Sequence, residues 1–211
     1  PGYFELTIKK GETIIFSAGT EPIGVRKLKT LFEEEKAKRT GRADFVSCLK
    51  NSAQQFYNKK EDGYYLLAGY PWFKYRARDE FIALPGTTLA IGDVAMFENM
   101  MKIGVVAVRD YIDGKPKSTQ LKEVSSPDVL LWFIWNIQQY AQATSLQQAA
   151  DKYGDTVLDI IAFIRKQKHT NLFVHDNGLL YTDGRYKPAT WMNATENDYP
   201  ITPRTGYVVE I

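Results

Sequence analysis

Arg78 and Asp79 stand side by side just after the aromatic stretch Tyr70-Pro71-Trp72-Phe73. A guanidinium offers planar N–H groups and a carboxylate accepts them, so such a pair can grip neighbouring hydroxyl groups. Aromatic faces beside it would stack on the apolar C–H surface of the same ligand. The plainer reading is an Asp in a first helical turn beside a surface Arg. A second cluster, Thr190-Trp191-Met192-Asn193-Ala194, sets an indole next to an amide, downstream of Asp176-Asn177-Gly178-Leu179-Leu180. A third, Ile201-Thr202-Pro203-Arg204-Thr205-Gly206, runs into Val208-Val209-Glu210-Ile211 and places an acid after a rigid turn. Singly these are weak signals, since Asp-Asn-Gly is an ordinary turn and a loop Trp is often only an anchor.

The elements that must position these residues read as mainly helical. Apolar residues at helical spacing mark helices over 22–39, 43–60, 79–91, 93–110 and 127–143, with one or two more over 145–152 and 154–168. Gly63 is expected to end the second of these, Pro85 to start or kink the third, and Gly154 to interrupt the last pair. Ser126 is a candidate N-cap, with Pro127 in the first helical position. The helix over 127–143 is apolar on nearly every side, which predicts neighbours all round it. Residues 3–8 and 13–16 read as two strands joined at Lys9-Lys10-Gly11-Glu12, too few for a sheet of their own. From 169 onward the pattern is loop and short strand. Inner and outer helices in succession predict part of an (α/α)6 toroid of helical hairpins.

Composition narrows the function. The chain has 211 residues, 44% hydrophobic and 25% charged, with a net charge of +2, the balance of a soluble globular protein. Basic residues are scattered, so no stripe tracks a phosphate backbone and no nucleic-acid partner is expected. No apolar stretch reaches the length of a membrane span. Cys48 is the only cysteine and is expected to be a buried thiol, with no disulfide framework. His169 and His175 lack metal-ligand spacing and read as surface or loop residues. The chain opens on Pro1-Gly2 rather than Met, which we read as an excised piece of a longer protein. No signal peptide opens it, and a cytoplasmic location is expected.

In order and wording the three clusters together resemble the C-terminal glucosidase domain of glycogen-debranching enzymes. That family carries an aromatic stretch ending in Trp-Gly-Arg-Asp, then Ile-Ala-Leu-Pro-Gly, matched here by Arg76-Ala77-Arg78-Asp79 and Ile82-Ala83-Leu84-Pro85-Gly86. In the family Asp-Gly-Leu-Leu, Thr-Trp-Met-Asp-Ala and Thr-Pro-Arg-x-Gly into Val-Glu-Ile follow; here Asp176-Asn177-Gly178-Leu179-Leu180, Thr190-Trp191-Met192-Asn193-Ala194 and Thr202-Pro203-Arg204-Thr205-Gly206 into Val209-Glu210-Ile211 stand in the same order. The likeness also takes in Asp128 with Leu131-Trp132-Phe133, and Leu49 to Phe56. It covers 42–211, with 1–19 resembling the end of the family's N-terminal β-domain and 20–41 a linker helix.

The resemblance implies an inverting hydrolase of the α-1,6-linked glucose at branch points of glycogen or a related α-glucan, with no metal or organic cofactor. It implies that Arg78 and Asp79 hold the terminal glucose, with Asp128 beside them. Tyr70, Trp72, Phe73 and Trp191 would then be its walls, and Arg204 and Glu210 would line or support the pocket. Asn193 stands where the family has the Asp expected to be the general acid, and a carboxamide has no proton to give. Arg76 and Ala77 depart from the family's Trp and Gly. The family's base is expected beyond Ile211. Three explanations are open: a glucan binder without turnover, an enzyme using another carboxylate such as Glu196 or Asp198, or an engineered or erroneous Asn193. A scaffold of helical hairpins is the reading outside the sugar-based ones. An incomplete toroid would self-associate or take up a C-terminal segment.

Overall fold

The computed structural model describes residues 2–211, in two units that meet in sequence at Asn51 and Ser52. Among the described residues there are six α-helices and three two-stranded hairpins.

In the first unit the strands predicted at 3–8 and 13–16 do not form. Their turn does: Glu12 N donates to Lys9 O and Lys9 N to the Glu12 carboxylate, both at 3.0 Å. The rings of Phe4 and Phe16 meet at 5.1 Å. Tyr3 and Phe4 remain 87% and 79% exposed, so no apolar burial holds a ladder together here. Helix α1 (Leu28–Ala37) follows a 3-10 turn at Val25–Lys27. Of the apolar stripe expected here, Val25, Leu28, Leu31 and Phe32, only Leu28 is half-buried and the other three are exposed within the chain. Helix α2 (Phe45–Gln54) starts at Asp44, whose carboxylate accepts from Ser47 N at 2.9 Å. Cys48 is half-buried rather than buried.

Helix α2 stops six residues short of its predicted end. The chain instead forms a hairpin, β1 (Tyr57–Lys60) and β2 (Gly63–Leu66), with Tyr57 opposite Leu66 and Lys60 opposite Gly63. Gly63, at φ +145°, closes the two-residue turn over Glu61-Asp62 instead of ending a helix. Tyr64 and Tyr65 suit the pleated surface better than another helical turn. The Tyr65 hydroxyl donates to Asp62 and accepts from Gln120 N, tying the hairpin to the loop ahead of the fifth helix.

The second unit is built on four helices: α3 (Ala77–Thr87), α4 (Val94–Ile112), α5 (Val129–Ala143) and α6 (Leu146–Arg165). Helix α3 packs on α5, α5 on α6, and α4 on both β2 and α6. Phe81 meets Phe133 edge-on at 5.4 Å and Phe97 stacks on Tyr140 at 5.4 Å. Gly104 permits this approach, because a Cβ there would lie 3.0 Å from the Phe81 ring. Asp93 caps α4 and Ser145 caps α6, each accepting an amide three residues on.

Pro85 lies inside α3, near its end rather than its start. It has no N–H for the Phe81 carbonyl, and Asn136 Nδ2 of α5 donates to that carbonyl at 2.5 Å. Helix α5 begins at Val129, two residues later than predicted, and Ser126 is not its cap. Ser126 N donates to Glu123 O and Ser126 O accepts from Val129 N, which makes a turn before the helix. Gly154 does not interrupt α6, because buried Ala149, Tyr153, Ile160 and Phe163 carry the helix through. Beyond α6 come the short pairs β3 (Phe173–Val174) with β4 (Leu180–Tyr181), and β5 (Thr195–Glu196) with β6 (Tyr199–Pro200). No helix among the described residues is long and apolar enough to cross a membrane.

Candidate functional site

Asp128 accepts from Arg78 Nε at 2.7 Å and from Arg78 Nη2 at 2.9 Å, a two-pronged pair bridging α3 and the start of α5. Both residues are buried, Arg78 at 2% exposure and Asp128 at 0%. Trp132 sits one helical turn on, and its indole N–H reaches the same carboxylate at 3.2 Å. Three donors thus fix Asp128, and Asp128 fixes the plane of the guanidinium. Just upstream, residue 122 pairs with the chain entering α3: Ala77 N donates to Lys122 O and Lys122 N to Tyr75 O, both at 3.0 Å. The N-terminal ends of α3 and α5 are held side by side in this way.

Between these ends and the C-terminal loops lies a cavity of about 410 Å³. Arg76, Arg78 and Glu123 line one side, Ser125 to Pro127 the approach to α5, and Thr170, Asn171, Lys187, Asn193 and Thr195 the loops opposite. The volume lies within the usual range for small-molecule sites. Its lining is mostly guanidinium, hydroxyl and amide groups, which suits a ligand rich in hydroxyls. The loops are stitched together from below. Thr182 and Gly206 exchange backbone hydrogen bonds, and Gly184 N donates to Thr205 Oγ1 at 3.0 Å. Gly184 admits no side chain, since a Cβ would lie 2.3 Å from the Arg204 carbonyl oxygen.

The structure gathers some of the residues expected to act together and separates others. Arg78 and Asn193, 115 positions apart in the numbering, line the same cavity. Asp128 is fully buried against Arg78 and lies outside the cavity lining. Asp79 lines a different cavity of about 330 Å³, together with Phe56, Leu66, Leu67 and Ala68. Burial raises the Asp79 pKa, opposed by the charges of Arg76 and Arg78. Tyr70, Trp72 and Phe73 stand exposed on the loop after β2, with Tyr70 against Phe56 at 5.7 Å and Phe73 under the Arg76 guanidinium at 4.9 Å. Trp191 is 57% exposed and lies outside the lining of the Asn193 cavity. Arg204 and Glu210 pair with each other through Nη2 and Oε2, also away from it. Glu196 and Asp198 sit exposed on the β5–β6 hairpin, outside the same lining.

Glu123 and Lys187 were not singled out from the sequence, and Trp132 entered only as part of the family-like stretch after Asp128. Trp132 carried a signal, because an indole four residues after Asp128 on a helix falls over that carboxylate. Glu123 carried none, its place depending on a left-handed backbone at φ 64°. His169 lies in the loop after α6, as one half of the surface-or-loop reading has it, but not on the surface: it is 2% exposed, and burial lowers its pKa to about 4. His175 is exposed as expected, stacked on Tyr181 at 4.8 Å. Among the described residues no group of three His, Cys, Asp or Glu side chains is placed to hold a metal ion.

This is a mainly helical domain with a polar cavity where two helix N-termini meet a set of loops, an arrangement compatible with a helical glycoside hydrolase. The chain belongs to the amylo-alpha-1,6-glucosidase family, whose model matches residues 44–211. No curated protein and no solved structure matches it.

Proposed function

We propose that this chain is the part of a debranching-type glycoside hydrolase that holds the terminal glucose of an α-1,6 branch in glycogen or a related cytoplasmic α-glucan. Helices α3 to α6 would be the first hairpins of an (α/α)6 toroid, and the reaction would invert the anomeric centre. The observation that carries the reading is the shared cavity of Arg78 and Asn193. Arg78, oriented by Asp128, would donate to sugar hydroxyls from one wall. Asn193 would face the glycosidic oxygen from the other, at the position where the family carries its acid.

An amide there can hydrogen-bond that oxygen and cannot protonate it, so turnover is impaired while binding persists. The reading as a glucan binder without turnover gains support from the same residue, together with the location of Glu196 and Asp198 outside this lining. Restoring the acid separates the two. In a form of the protein that extends past Ile211 to include the base the resemblance places there, Asn193→Asp should raise glucose release from a branched limit dextrin by about 10²- to 10⁴-fold, the usual contribution of a positioned proton donor. Calorimetry should show both proteins binding isomaltose in the millimolar range. Absence of heat from both would sink the sugar-based reading.

A further inference from the structure

Glu123 is the only carboxylate among the described residues that line the Asn193 cavity. The other acids near Arg78 are committed elsewhere. Asp128 is spent on Arg78 and Trp132, Asp79 lines the neighbouring cavity, and Glu80 is sealed in the core where Leu66 N donates to it at 3.0 Å. Glu123 differs from all three. Its side chain is 38% exposed, with Arg76 Nε at 3.5 Å and Arg78 Nη1 at 3.9 Å. Those separations balance its charge but are too long to be good hydrogen bonds. No described donor hydrogen-bonds its carboxylate, and the residue lines the cavity.

The backbone is committed to this placement. Glu123 adopts φ 64°, a region that residues with a side chain rarely enter. The pairing of Lys122 with Tyr75 and Ala77 holds it on one side and the Ser126 N–H to Glu123 O bond at 3.0 Å on the other. Such conformations persist where the surroundings over-determine them, and they gather at ligand sites. Arg76 is fixed in turn between the Phe73 ring at 4.9 Å and Glu123. Phe73, Arg76 and Glu123 therefore stand in a row, of which Arg76 and Glu123 line the cavity.

We propose that Glu123 is a sugar-contacting residue, accepting hydrogen bonds from the hydroxyls of the glucosyl unit that lies between it and Asn193. The proposal rests on reading the cavity as a glucan site. It divides the labour of that site: Arg78 donates from a fixed plane, and Glu123 accepts from a wall that the substrate completes.

Glu123→Gly tests this well, because glycine removes the carboxylate and suits the positive φ. Isomaltose and a set of its monodeoxy analogues would be titrated into wild type, Glu123→Gly and Arg76→Gln, with melting temperature followed throughout. Glu123→Gly should weaken isomaltose binding by about tenfold or more, as expected for hydrogen bonds to a charged acceptor. Arg76→Gln, which breaks the ion pair but keeps the carboxylate, should lose much less. At least one deoxy analogue should bind poorly to wild type and lose nothing further in Glu123→Gly. Unchanged isomaltose affinity in Glu123→Gly, or the same loss for every analogue, would overturn the contact and leave the glucan reading intact. Wild type binding no sugar would overturn both. If Glu123→Gly fails to fold, Glu123→Gln carries the same comparison.

Discussion

Arg78 and Glu80 lie two residues apart on α3, both closed off from solvent, and their surroundings treat charge in opposite ways. A carboxylate from the start of α5 meets the Arg78 guanidinium prong for prong. Glu80 meets only the Leu66 amide, through one oxygen, while its other oxygen has no partner. Burial pushes its pKa up to about 8, so at neutral pH it holds its proton. The cavity edge is thus the place where an acid and a base are paired and held in position. One step around the helix, toward β2, the core tolerates an acid only as a neutral group.

That contrast can be broken most forcefully at Asp128. Asp128→Ala strands the Arg78 guanidinium beneath the cavity, and loss of one member of a buried pair costs about 3–5 kcal/mol. Chemical denaturation should show it. A loss below about 1 kcal/mol would mean that Arg78 is not held as the geometry indicates.

The pH dependence of stability sharpens the other half. Between about 4.5 and 8 the folded Glu80 binds a proton that the unfolded chain has released. Each unit of rising pH in that window therefore removes about 1.4 kcal/mol of stability. His169 works the other way: its folded pKa of about 4 against 6.5 unfolded makes acid destabilising between those values. The two slopes offset one another from about 4.5 to 6.5, and only the Glu80 loss remains from 6.5 to 8. Urea midpoints should be level and then fall across this range. Glu80→Gln should abolish the fall and expose the acid-side loss due to His169.

A smaller effect is expected at Asn136, a buried polar group of neutral type. Asn136→Leu leaves the Phe81 carbonyl without a donor, at a cost of about 1–3 kcal/mol. Equilibrium unfolding against wild type would measure it, and no change would mean that water serves that carbonyl equally well.

The helices of the second unit were legible because their apolar spacing is regular: Phe97, Met101 and Val108 of α4 and Leu130, Phe133 and Ile137 of α5 are buried as their positions suggest. The β1–β2 hairpin was misread because Phe56 and Tyr57 also fit the helical face that Phe45 and Leu49 begin, although those two are exposed. The turn at Asp62-Gly63 and the tyrosines after it spoke for strands. The N-terminal strands failed for the converse reason, since alternation alone does not supply a surface to lie on. Motif order drew attention to Arg78 and Asn193, but adjacency in sequence misled for Asp79. Neighbours on a helix point about 100° apart, so one residue can face the cavity while the next faces another. Glu123 and Lys187 could not be found without coordinates, because each depends on where an irregular loop places one side chain.

Pro85 has a further consequence. A regular helix presents a repeating surface, and a partner could settle on it one turn too high or too low, about 5.4 Å away. Pro85 marks α3 with a single unfilled carbonyl, and Asn136 is the probe that reads the mark. The two helices are therefore indexed against each other at one height. This alignment also sets the height at which Arg78 meets Asp128, so a proline near the far end of α3 helps determine the geometry at its beginning.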